Sequence, residues 1–189
     1  MIVIDDFIQD LSLLIRIQED ESFFSQNGKY MWWDGWWNSP TDTLKKELIQ
    51  YIWGENSPYP PINVTGFEYW TGQYSQDTQL PSTLDMHFDK DEYVWETENK
   101  IVTPVIGTVF YPLPMDIEGG YLEVFSNGND QPCERIQAKF NRLIIFPAGE
   151  YPHRVTEVTN GTRSAIAINL WDETPSGLKN GTMILENSK

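Results

Sequence analysis

The sequence predicts a mainly β (α+β) fold, a sandwich or jelly roll with N-terminal helices packed on one sheet. Up to about residue 56, apolar residues recur at helical spacing. From about residue 62 to 172, short segments rich in β-branched and aromatic residues alternate with turn residues. No repeat or linker divides the chain. We therefore expect one domain, 1–189, with a helical part (about 1–56), a jelly-roll core (about 62–172) and a polar tail (173–189).

Two amphipathic helices are predicted after a short strand at residues 1–4. Asp5 or Asp6 can cap the first helix. Its apolar residues recur at one helical face: Phe7, Leu11, Leu14 and Ile15. Ser39-Pro40 opens the second helix and Gly54 is placed to end it. Both helices should lie against the outer face of one sheet.

The segment between the two helices is rich in large aromatic residues, namely Tyr30, Trp32, Trp33, Trp36 and Trp37. Asp34-Gly35 predicts a tight turn between two short strands. The aromatic side chains could line a substrate groove, or they could pack at the edge of the core. Under the first interpretation, Trp32 and Trp36 are candidate substrate contacts.

Seven strands are predicted after residue 62, separated by Gly, Pro, Asn and Asp. They are Val64–Thr71, Leu84–Phe88, Ile101–Tyr111, Tyr121–Phe125, Leu143–Phe146, His153–Val158 and Arg163–Trp171.

The charge and composition exclude some classes of partner. The net charge is −15, with only 13 Lys and Arg residues. Nucleic acids and anionic membrane surfaces require clustered cations, so we expect neither as a partner. The single cysteine, Cys133, excludes an intrachain disulfide. Because neither a signal-peptide pattern nor a long apolar segment is present, a cytoplasmic location is expected. The sequence does not indicate an oligomeric state.

The chain has only two histidines, and one of them, His87, lies two residues before Asp89. Residues i and i+2 of a strand point to the same face, so their imidazole and carboxylate would lie side by side. The second histidine, His153, lies on a late strand. Together the three side chains could form a 2-His-1-carboxylate facial triad, which leaves open positions on a non-haem Fe(II).

Arg163 lies on the strand that follows His153. Strand alternation places one small and polar set of side chains on one face, Arg163, Ala165, Ala167 and Asn169. This face leaves room for a ligand beside the guanidinium, which binds carboxylates in a bidentate manner. The opposite face is apolar and suits packing under the helices. The alternative is that Arg163 pairs with a surface carboxylate.

The order His87-Phe88-Asp89, then His153, then Arg163 resembles the iron and cosubstrate signature of the Fe(II)/2-oxoglutarate-dependent dioxygenases. The local sequence is most similar to the prolyl 4-hydroxylase-like branch. Three segments resemble that branch, namely Ile4–Ile8, Gly119–Phe125 and Arg142–Pro147. The resemblance extends over most of the chain, from about residue 2 to 172, but the aromatic segment 29–38, which contains Trp32 and Trp36, and the tail have no counterpart in it. It departs at Phe110-Tyr111-Pro112-Leu113, where the branch commonly has Tyr-Leu-Asn.

The resemblance implies a double-stranded β-helix that hydroxylates a C–H bond with O2. This reaction is coupled to decarboxylation of 2-oxoglutarate to succinate, and ascorbate would act as a stimulant. It implies that His87, Asp89 and His153 hold Fe(II) and that Arg163 binds the far carboxylate of 2-oxoglutarate. The implied substrate is a prolyl residue in a peptide or protein, with a small molecule as the alternative.

Further contacts follow from the resemblance as expectations. The expected cosubstrate contacts besides Arg163 are Tyr74, Thr108, Leu122 and Asn169, with Tyr69 and Tyr111 as alternative hydroxyl groups. The candidate substrate contacts are Trp32, Trp36, Tyr69 and Trp171. Two other functions remain open at this point: a non-catalytic jelly-roll ligand-binding module, and a cupin-type metal enzyme that uses no keto acid.

Overall fold

Thirteen β-strands, three α-helices and one 3-10 helix form the part of the chain that the computed structural model describes. That part comprises residues 1–55, 57–58, 63–76, 79–126, 128, 130–180 and 184–185. Some of the predicted segments extend beyond the described residues. Outside them lie residues 56 and 62, at the predicted limits of the helical part and the core, and residues 181–183 and 186–189 of the predicted tail.

The elements follow one another as β1 (Ile2–Ile4), α1 (Leu11–Glu19), β2 (Met31–Trp33), α2 (Leu44–Trp53), β3 (Gly66–Ser75), β4 (Leu84–His87), α3 (Glu92–Glu98), β5 (Ile106–Phe110), β6 (Glu118–Gly119), β7 (Leu122–Val124), β8 (Glu134–Ile136), β9 (Leu143–Phe146), β10 (His153–Val155), β11 (Val158–Asn160), β12 (Thr162–Trp171), the 3-10 helix (Ser176–Asn180) and β13 (Ile184–Leu185).

Two larger sheets organise these strands. The first has seven strands in the order β1-β9-β5-β12-β3-β2-β13, and the second has four in the order β4-β10-β7-β8. Strands β6 and β11 form a separate pair. Neighbouring strands are antiparallel except for β13 and β2. The predicted mainly β fold with N-terminal helices is therefore confirmed.

Strand β12 separates two hydrophobic clusters, as its alternation predicts. Ile166, Ile168 and Leu170 are buried in the cluster that also contains the apolar residues of α1 and α2. Ala165 belongs to a second cluster, together with residues of β7, β8 and β9. One face of the seven-stranded sheet is thus covered by helices, and the other faces the four-stranded sheet.

The first helix begins later than predicted. Asp10 caps it by accepting a hydrogen bond from the Ser12 backbone N–H at 3.0 Å, so the predicted cap at Asp5 or Asp6 is wrong. The Asn141 side chain binds both the N–H and the C=O of Ile8, at 2.9 and 3.0 Å, and holds this segment in place. The buried face of the helix also differs from the predicted face, and consists of Leu13, Leu14 and Ile17.

The second helix ends where the sequence predicts but begins later. Gly54 is its C-cap, and its N–H donates to the Gln50 carbonyl at 2.8 Å. The N-cap is Thr43, whose hydroxyl accepts from the Lys46 N–H, and not Ser39. Within the described residues no helix is long and apolar enough to cross a membrane.

The aromatic segment forms one strand and a turn, so the predicted second strand is absent from residues 34–39. Gly35 adopts a φ of +83°, and its carbonyl accepts hydrogen bonds from the N–H groups of Asn38 and Ser39. Three tryptophans of this segment pack against one residue of β3: Trp33, Trp36 and Trp37 all contact the ring of Phe67. The structure therefore favours core packing over a substrate groove for these three tryptophans.

An ion cluster joins β1 to the turn before β9. Asp5 accepts hydrogen bonds from Arg142 at 2.5 and 3.0 Å and from Lys139 at 2.9 Å. These hydrogen bonds hold the pKa of Asp5 well below its usual value. Because the Asp5 side chain is 38% exposed, solvent screening keeps the contribution of the cluster small.

We expect Asp5→Asn to lower the free energy of unfolding at pH 7 by about 1 kcal/mol. The folded-state pKa is depressed, so the stabilisation is present above pH ~4 and is lost as the pH falls below it. Urea denaturation at pH 7 and pH 3 measures this, with Asp6→Asn as the matched control. A cost that is equal at both pH values would contradict the assignment.

Candidate active site

Two histidines face each other across neighbouring strands. His87 ends β4 and is the direct register partner of His153 at the start of β10. Their ring centroids lie 4.3 Å apart. Opposite residues of antiparallel strands point to the same face, so the pairing of these two strands brings together residues that are 66 positions apart.

Backbone carbonyls fix the tautomer of both rings. His87 Nδ1 lies 2.8 Å from the Asp85 carbonyl, and His153 Nδ1 lies 3.0 Å from the Tyr151 carbonyl. A carbonyl only accepts, so each Nδ1 carries a proton, and in the neutral form of each ring Nε2 keeps its lone pair. Both Nε2 atoms face Asp89 Oδ1, at 3.4 Å from His87 and 3.6 Å from His153. Histidines that bind metals are commonly held in this way through the other ring nitrogen.

Asp89 reaches the site from a loop and not from a strand. Strand β4 ends at His87, so the predicted i, i+2 relation along a strand does not hold at Asp89. Its backbone N–H instead donates to the Ala148 carbonyl at 2.9 Å, and its side chain accepts a hydrogen bond from Asn169 Nδ2 at 3.0 Å on Oδ2. The bond from Asn169 leaves Oδ1 directed to the two histidines.

The protonation states suit a metal site. Burial lowers the pKa of His153, which favours the neutral ring. Burial alone would raise the pKa of Asp89, but its hydrogen bond with His87 and the charges of both histidines outweigh this and lower it. At His87, burial opposes protonation, yet the hydrogen bonds with Asp89 and the Asp85 carbonyl outweigh it and raise the pKa. A metal ion must therefore displace a proton from His87 at mildly acidic pH.

The three side chains fit a divalent metal ion by their chemistry. One ligand atom from each of His87, Asp89 and His153 can be chosen such that all three lie within 4.8 Å of one another. Two imidazole nitrogens and one carboxylate oxygen form the donor set that non-haem Fe(II) takes. In the described part of the chain, no lysine or arginine pairs with Asp89 and neutralises its charge.

The three triad residues and Arg163 line one cavity. Arg163 is 3% exposed, and its Nε donates to the Gly120 carbonyl at 3.1 Å while Nη2 donates to the Tyr111 hydroxyl at 2.9 Å. Gly120 has a φ of +65°, and a Cβ there would lie 3.2 Å from Arg163 Cδ, so glycine suits this close approach. Among the described residues, no carboxylate forms an ion pair with Arg163.

The neighbouring Arg154 is paired, in contrast to Arg163. It is exposed and forms a salt bridge with Glu123 at 2.7 Å. Of the two arginines, Arg163 is the buried one and has no carboxylate partner among the described residues, and a buried charge of this kind is costly unless an anion joins it.

Strand register explains the floor of the cavity between the triad and Arg163. On β12 and β3, residues that lie opposite each other form a row of four pairs: Arg163 with Tyr74, Ala165 with Gly72, Ala167 with Trp70, and Asn169 with Glu68. All of them line this cavity except Glu68, which lines a second cavity beside it. The small residues in the middle of this row leave the space, and the polar residues stand at its two ends.

The predicted cosubstrate contacts border the cavity, but not all with their side chains. Tyr74 lies under the Arg163 guanidinium, with its ring centroid 5.6 Å from Cζ, and burial raises the pKa of its phenol. Leu122 is buried in the wall. Thr108 borders the cavity, but it pairs with Ile168 and Ile145, so its side chain shares their helix-packed face. Its hydroxyl is therefore not directed toward Arg163.

The predicted substrate contacts lie outside the cavity walls. Trp171 and Tyr69 are buried, and Trp171 Nε1 donates to Glu68 at 3.0 Å. Trp32 is buried in β2, and Trp36 stacks on Phe67 on the helix-packed side. Strand parity explains two of them, since Tyr69 and Phe67, on which Trp36 stacks, point away from the face of β3 that carries Glu68 and Trp70. Trp32 and Trp171 lie on the face of Glu68, as its register partner and its hydrogen-bond donor, but neither lines a cavity beside the triad.

Two residues at the site escaped the sequence predictions, Glu68 and Trp70, whereas Tyr30 was named only as one of the aromatic residues that could line a groove. Glu68 is 5% exposed, and its Oε2 accepts from Trp171 Nε1 at 3.0 Å and from Asn169 Nδ2 at 3.4 Å. Burial, assisted by the charge of Asp89, raises the pKa of Glu68 to about 8. Counting from Tyr74 in steps of two along β3 would have identified Glu68 and Trp70.

A second cavity of about 230 Å³ opens beside the triad. It shares His87, Asp89, Trp70 and Asn169 with the first cavity. Helix α3, which the sequence did not predict, forms part of its wall and is capped by Asp91, whose carboxylate accepts from the Val94 N–H at 3.1 Å. The triad thus stands between a cavity that leads to Arg163 and one that leads to α3.

A protein-family model matches the chain. The model of the 2OG-Fe(II) oxygenase superfamily matches residues 73–171, more than half of the 189 residues. The matched region contains the triad, Arg163 and Asn169. No curated protein matches the chain significantly.

Solved structures of prolyl hydroxylases are similar in fold. A prolyl-4-hydroxylase from Pseudomonas putida aligns over 90% of this chain and 83% of its own, with 15% identity and a TM-score of 0.57. A prolyl hydroxylase from Trichoplax adhaerens, in complex with a hypoxia inducible factor oxygen degradation domain peptide fragment, aligns over 94% and 86%, with 17% identity and a TM-score of 0.51. A viral collagen prolyl hydroxylase from Paramecium Bursaria Chlorella virus-1, in a 2OG complex, aligns over 89% and 93%, with 15% identity and a TM-score of 0.51.

Proposed function

Because the chain belongs to the 2OG-Fe(II) oxygenase superfamily, we propose that it hydroxylates a C–H bond of its substrate and couples this to conversion of 2-oxoglutarate to succinate. The observation that carries the proposal is the pairing of two features in one cavity. His87, Asp89 and His153 border it, and so does the buried Arg163, which has no carboxylate partner in the described part of the chain.

The charges of this cavity match a keto diacid. A divalent ion bound by the triad would attract the carboxylate and ketone oxygens at one end of 2-oxoglutarate. Arg163 would hold the far carboxylate, with the neutral phenol of Tyr74 beside the guanidinium. The hydroxyl of Tyr111 already accepts a hydrogen bond from Arg163, so it helps to orient the guanidinium fork.

The remaining walls exclude water and position the reactants. Leu122, Val155 and Ala165 are buried apolar residues that line the space between the triad and Arg163. They suit the methylene groups of the diacid, and they strengthen its charge interactions by lowering the local dielectric. When bound, Fe(II) supplies the activation of O2. Asn169 holds Asp89 Oδ2, which keeps Oδ1 available to the metal.

The substrate that we propose is a prolyl residue in a peptide or protein. The fold similarity to prolyl hydroxylases supports it, one of which is in complex with a peptide fragment. The net charge of −15 favours a neutral or basic peptide over an acidic one. A small molecule is the alternative substrate, since a shared fold does not fix the substrate.

We expect the purified protein with Fe(II), ascorbate and 2-oxoglutarate to form succinate. Proline-containing peptides should increase the rate, and one of them should gain a single oxygen atom. Mass spectrometry of the peptide together with quantification of succinate checks this. Omission of ascorbate tests whether it stimulates the reaction.

The matched control for this experiment is His87→Ala, which removes one proposed ligand from the cavity. Succinate formed at the same rate by His87→Ala would contradict the proposed iron site. Succinate without oxygen in any proline peptide would instead contradict only the prolyl substrate.

A further inference from the structure

The second cavity has acidic and aromatic walls. Four acidic side chains line it in addition to Asp89, namely Glu68, Asp91, Glu92 and Glu96, whereas Lys90 is its only cationic lining residue among those described. The rings of Tyr30 and Trp70 form one wall, with centroids 4.8 Å apart. Carboxylates together with aromatic faces form a favourable environment for an ammonium or guanidinium group.

Two of the four acidic residues are already used within the protein. Asp91 accepts from the N–H groups of Val94 at 3.1 Å and Ser176 at 2.6 Å, and Glu92 pairs with Lys90 at 2.8 Å. Glu68 and Glu96 form no ion pair with any described residue. Even with Glu68 uncharged, as its pKa of about 8 makes it at pH 7, the acidic side chains among the described lining residues outnumber Lys90.

Glu68 is the residue that points to a ligand. Its side chain lies on the metal-facing side of β3, opposite Asn169, and lines the second cavity. Oε2 accepts both hydrogen bonds, from Trp171 and Asn169, while Oε1 forms none within the described part of the chain. The side chain is only 5% exposed, and Oε1 is not one of the fully enclosed polar atoms, so Oε1 is the atom that can accept a hydrogen bond from a group in the cavity.

We propose that the second cavity binds a cationic group of the substrate, with Glu68 Oε1 as its acceptor and the Tyr30–Trp70 pair as its aromatic wall. This inference rests on the proposed function, because it places the cation beside the C–H bond that the triad would address. The cavity of about 230 Å³ is smaller than the roughly 300 Å³ at which pockets for drug-sized ligands begin, so it suits one side chain.

The acidity of Glu68 is compatible with this role. Its pKa of about 8 lies close to neutrality, and a neighbouring cation favours the ionised carboxylate. The cation therefore finds an acceptor that can ionise on binding.

The test uses the protein loaded with Mn(II) and 2-oxoglutarate, so that no turnover occurs. The probes are blocked arginine and its neutral isostere, blocked citrulline, with blocked lysine and Nε-acetyl-lysine as a second pair. Paramagnetic broadening by Mn(II) reports binding near the metal. We expect each cationic probe to bind about tenfold more tightly than its neutral counterpart.

Glu68→Gln keeps an amide oxygen for Trp171 and Asn169 but removes the charge. We expect it to reduce the cation preference to less than about twofold while the affinities for Mn(II) and 2-oxoglutarate are unchanged. Glu98→Gln, at the end of the same helix α3 but outside the cavity lining, is the matched control and should retain the preference. Tyr30→Ala leaves the Glu68 contacts intact and should reduce the preference about threefold.

Equal broadening by the charged and neutral probes, or none by either, would overturn the inference. So would a preference that survives both Glu68→Gln and Tyr30→Ala. If Glu68→Gln also weakens Mn(II) or 2-oxoglutarate binding, its effect on the probes is not specific to the second cavity. Tyr30→Ala then tests the inference, and an unchanged cation preference in that variant would overturn it. Binding of 2-oxoglutarate by the wild-type sample, measured in the same series, shows separately whether the proposed function stands.

Discussion

Replacing Asp89 with alanine is expected to abolish 2-oxoglutarate turnover, with a loss of at least about 100-fold. Asp89 supplies the only carboxylate in the three-residue donor set, and its Oδ1 lies between the Nε2 atoms of His87 and His153. Without it, two neutral imidazoles have no negative charge to offset the divalent ion. Metal affinity, measured by calorimetry with Mn(II), should fall together with succinate formation.

Asp85→Ala is the matched control for this substitution. Asp85 lies two residues before His87 on the same strand and its side chain is exposed, while the contact with His87 uses only its backbone carbonyl. We expect wild-type metal affinity and turnover. Retention of both by Asp89→Ala would show that the metal, if it binds, is held elsewhere.

Replacing Arg163 with methionine is expected to weaken 2-oxoglutarate binding by about 3 kcal/mol, more than 100-fold. The substitution removes the cation from a cavity where solvent cannot replace it, and the far carboxylate would be buried without a partner. Metal affinity should be nearly unchanged, because no Arg163 contact reaches the triad residues. Calorimetric titration of 2-oxoglutarate into the Mn(II)-loaded variant measures the effect.

Arg154→Met provides the comparison, since Arg154 lies on the outer face and is paired with Glu123. It should bind 2-oxoglutarate as the wild type does. Arg163→Lys should restore part of the affinity, because it keeps the charge but loses the bidentate fork. A variant Arg163→Met that still turns over substrate at the wild-type rate would favour a cupin-type enzyme without a keto acid.

Strand periodicity predicted the region of the site well. The two faces of β12 follow from its alternation, and the order of His87, Asp89, His153 and Arg163 follows from the chain. The structure brings these side chains together, and family membership is confirmed, while the individual roles of the residues stay predictions. Strand alternation also shows why Tyr69 and Tyr74 could not both face the cavity, since they are five positions apart on one strand and an odd offset places side chains on opposite faces.

The features that the sequence did not predict, such as the start of α1 and the path of the chain at Asp89, depend on contacts between residues far apart in the sequence. The start of α1 depends on Asn141, which is 133 residues away from Ile8, and the approach of Asp89 depends on the Ala148 carbonyl. Helix α3 is only seven residues long and has few apolar positions, so periodicity could not reveal it. The aromatic segment was predicted as one possible groove, but only Tyr30 of its five aromatic residues lines a cavity beside the triad. Trp33, Trp36 and Trp37 pack against Phe67 instead.

The most direct test is calorimetric titration of 2-oxoglutarate into the wild-type protein with and without Mn(II). We expect saturable binding of one 2-oxoglutarate per chain that requires the metal and is lost in both Asp89→Ala and Arg163→Met. Binding of 2-oxoglutarate that is independent of the metal, or no binding at all, would contradict this expectation.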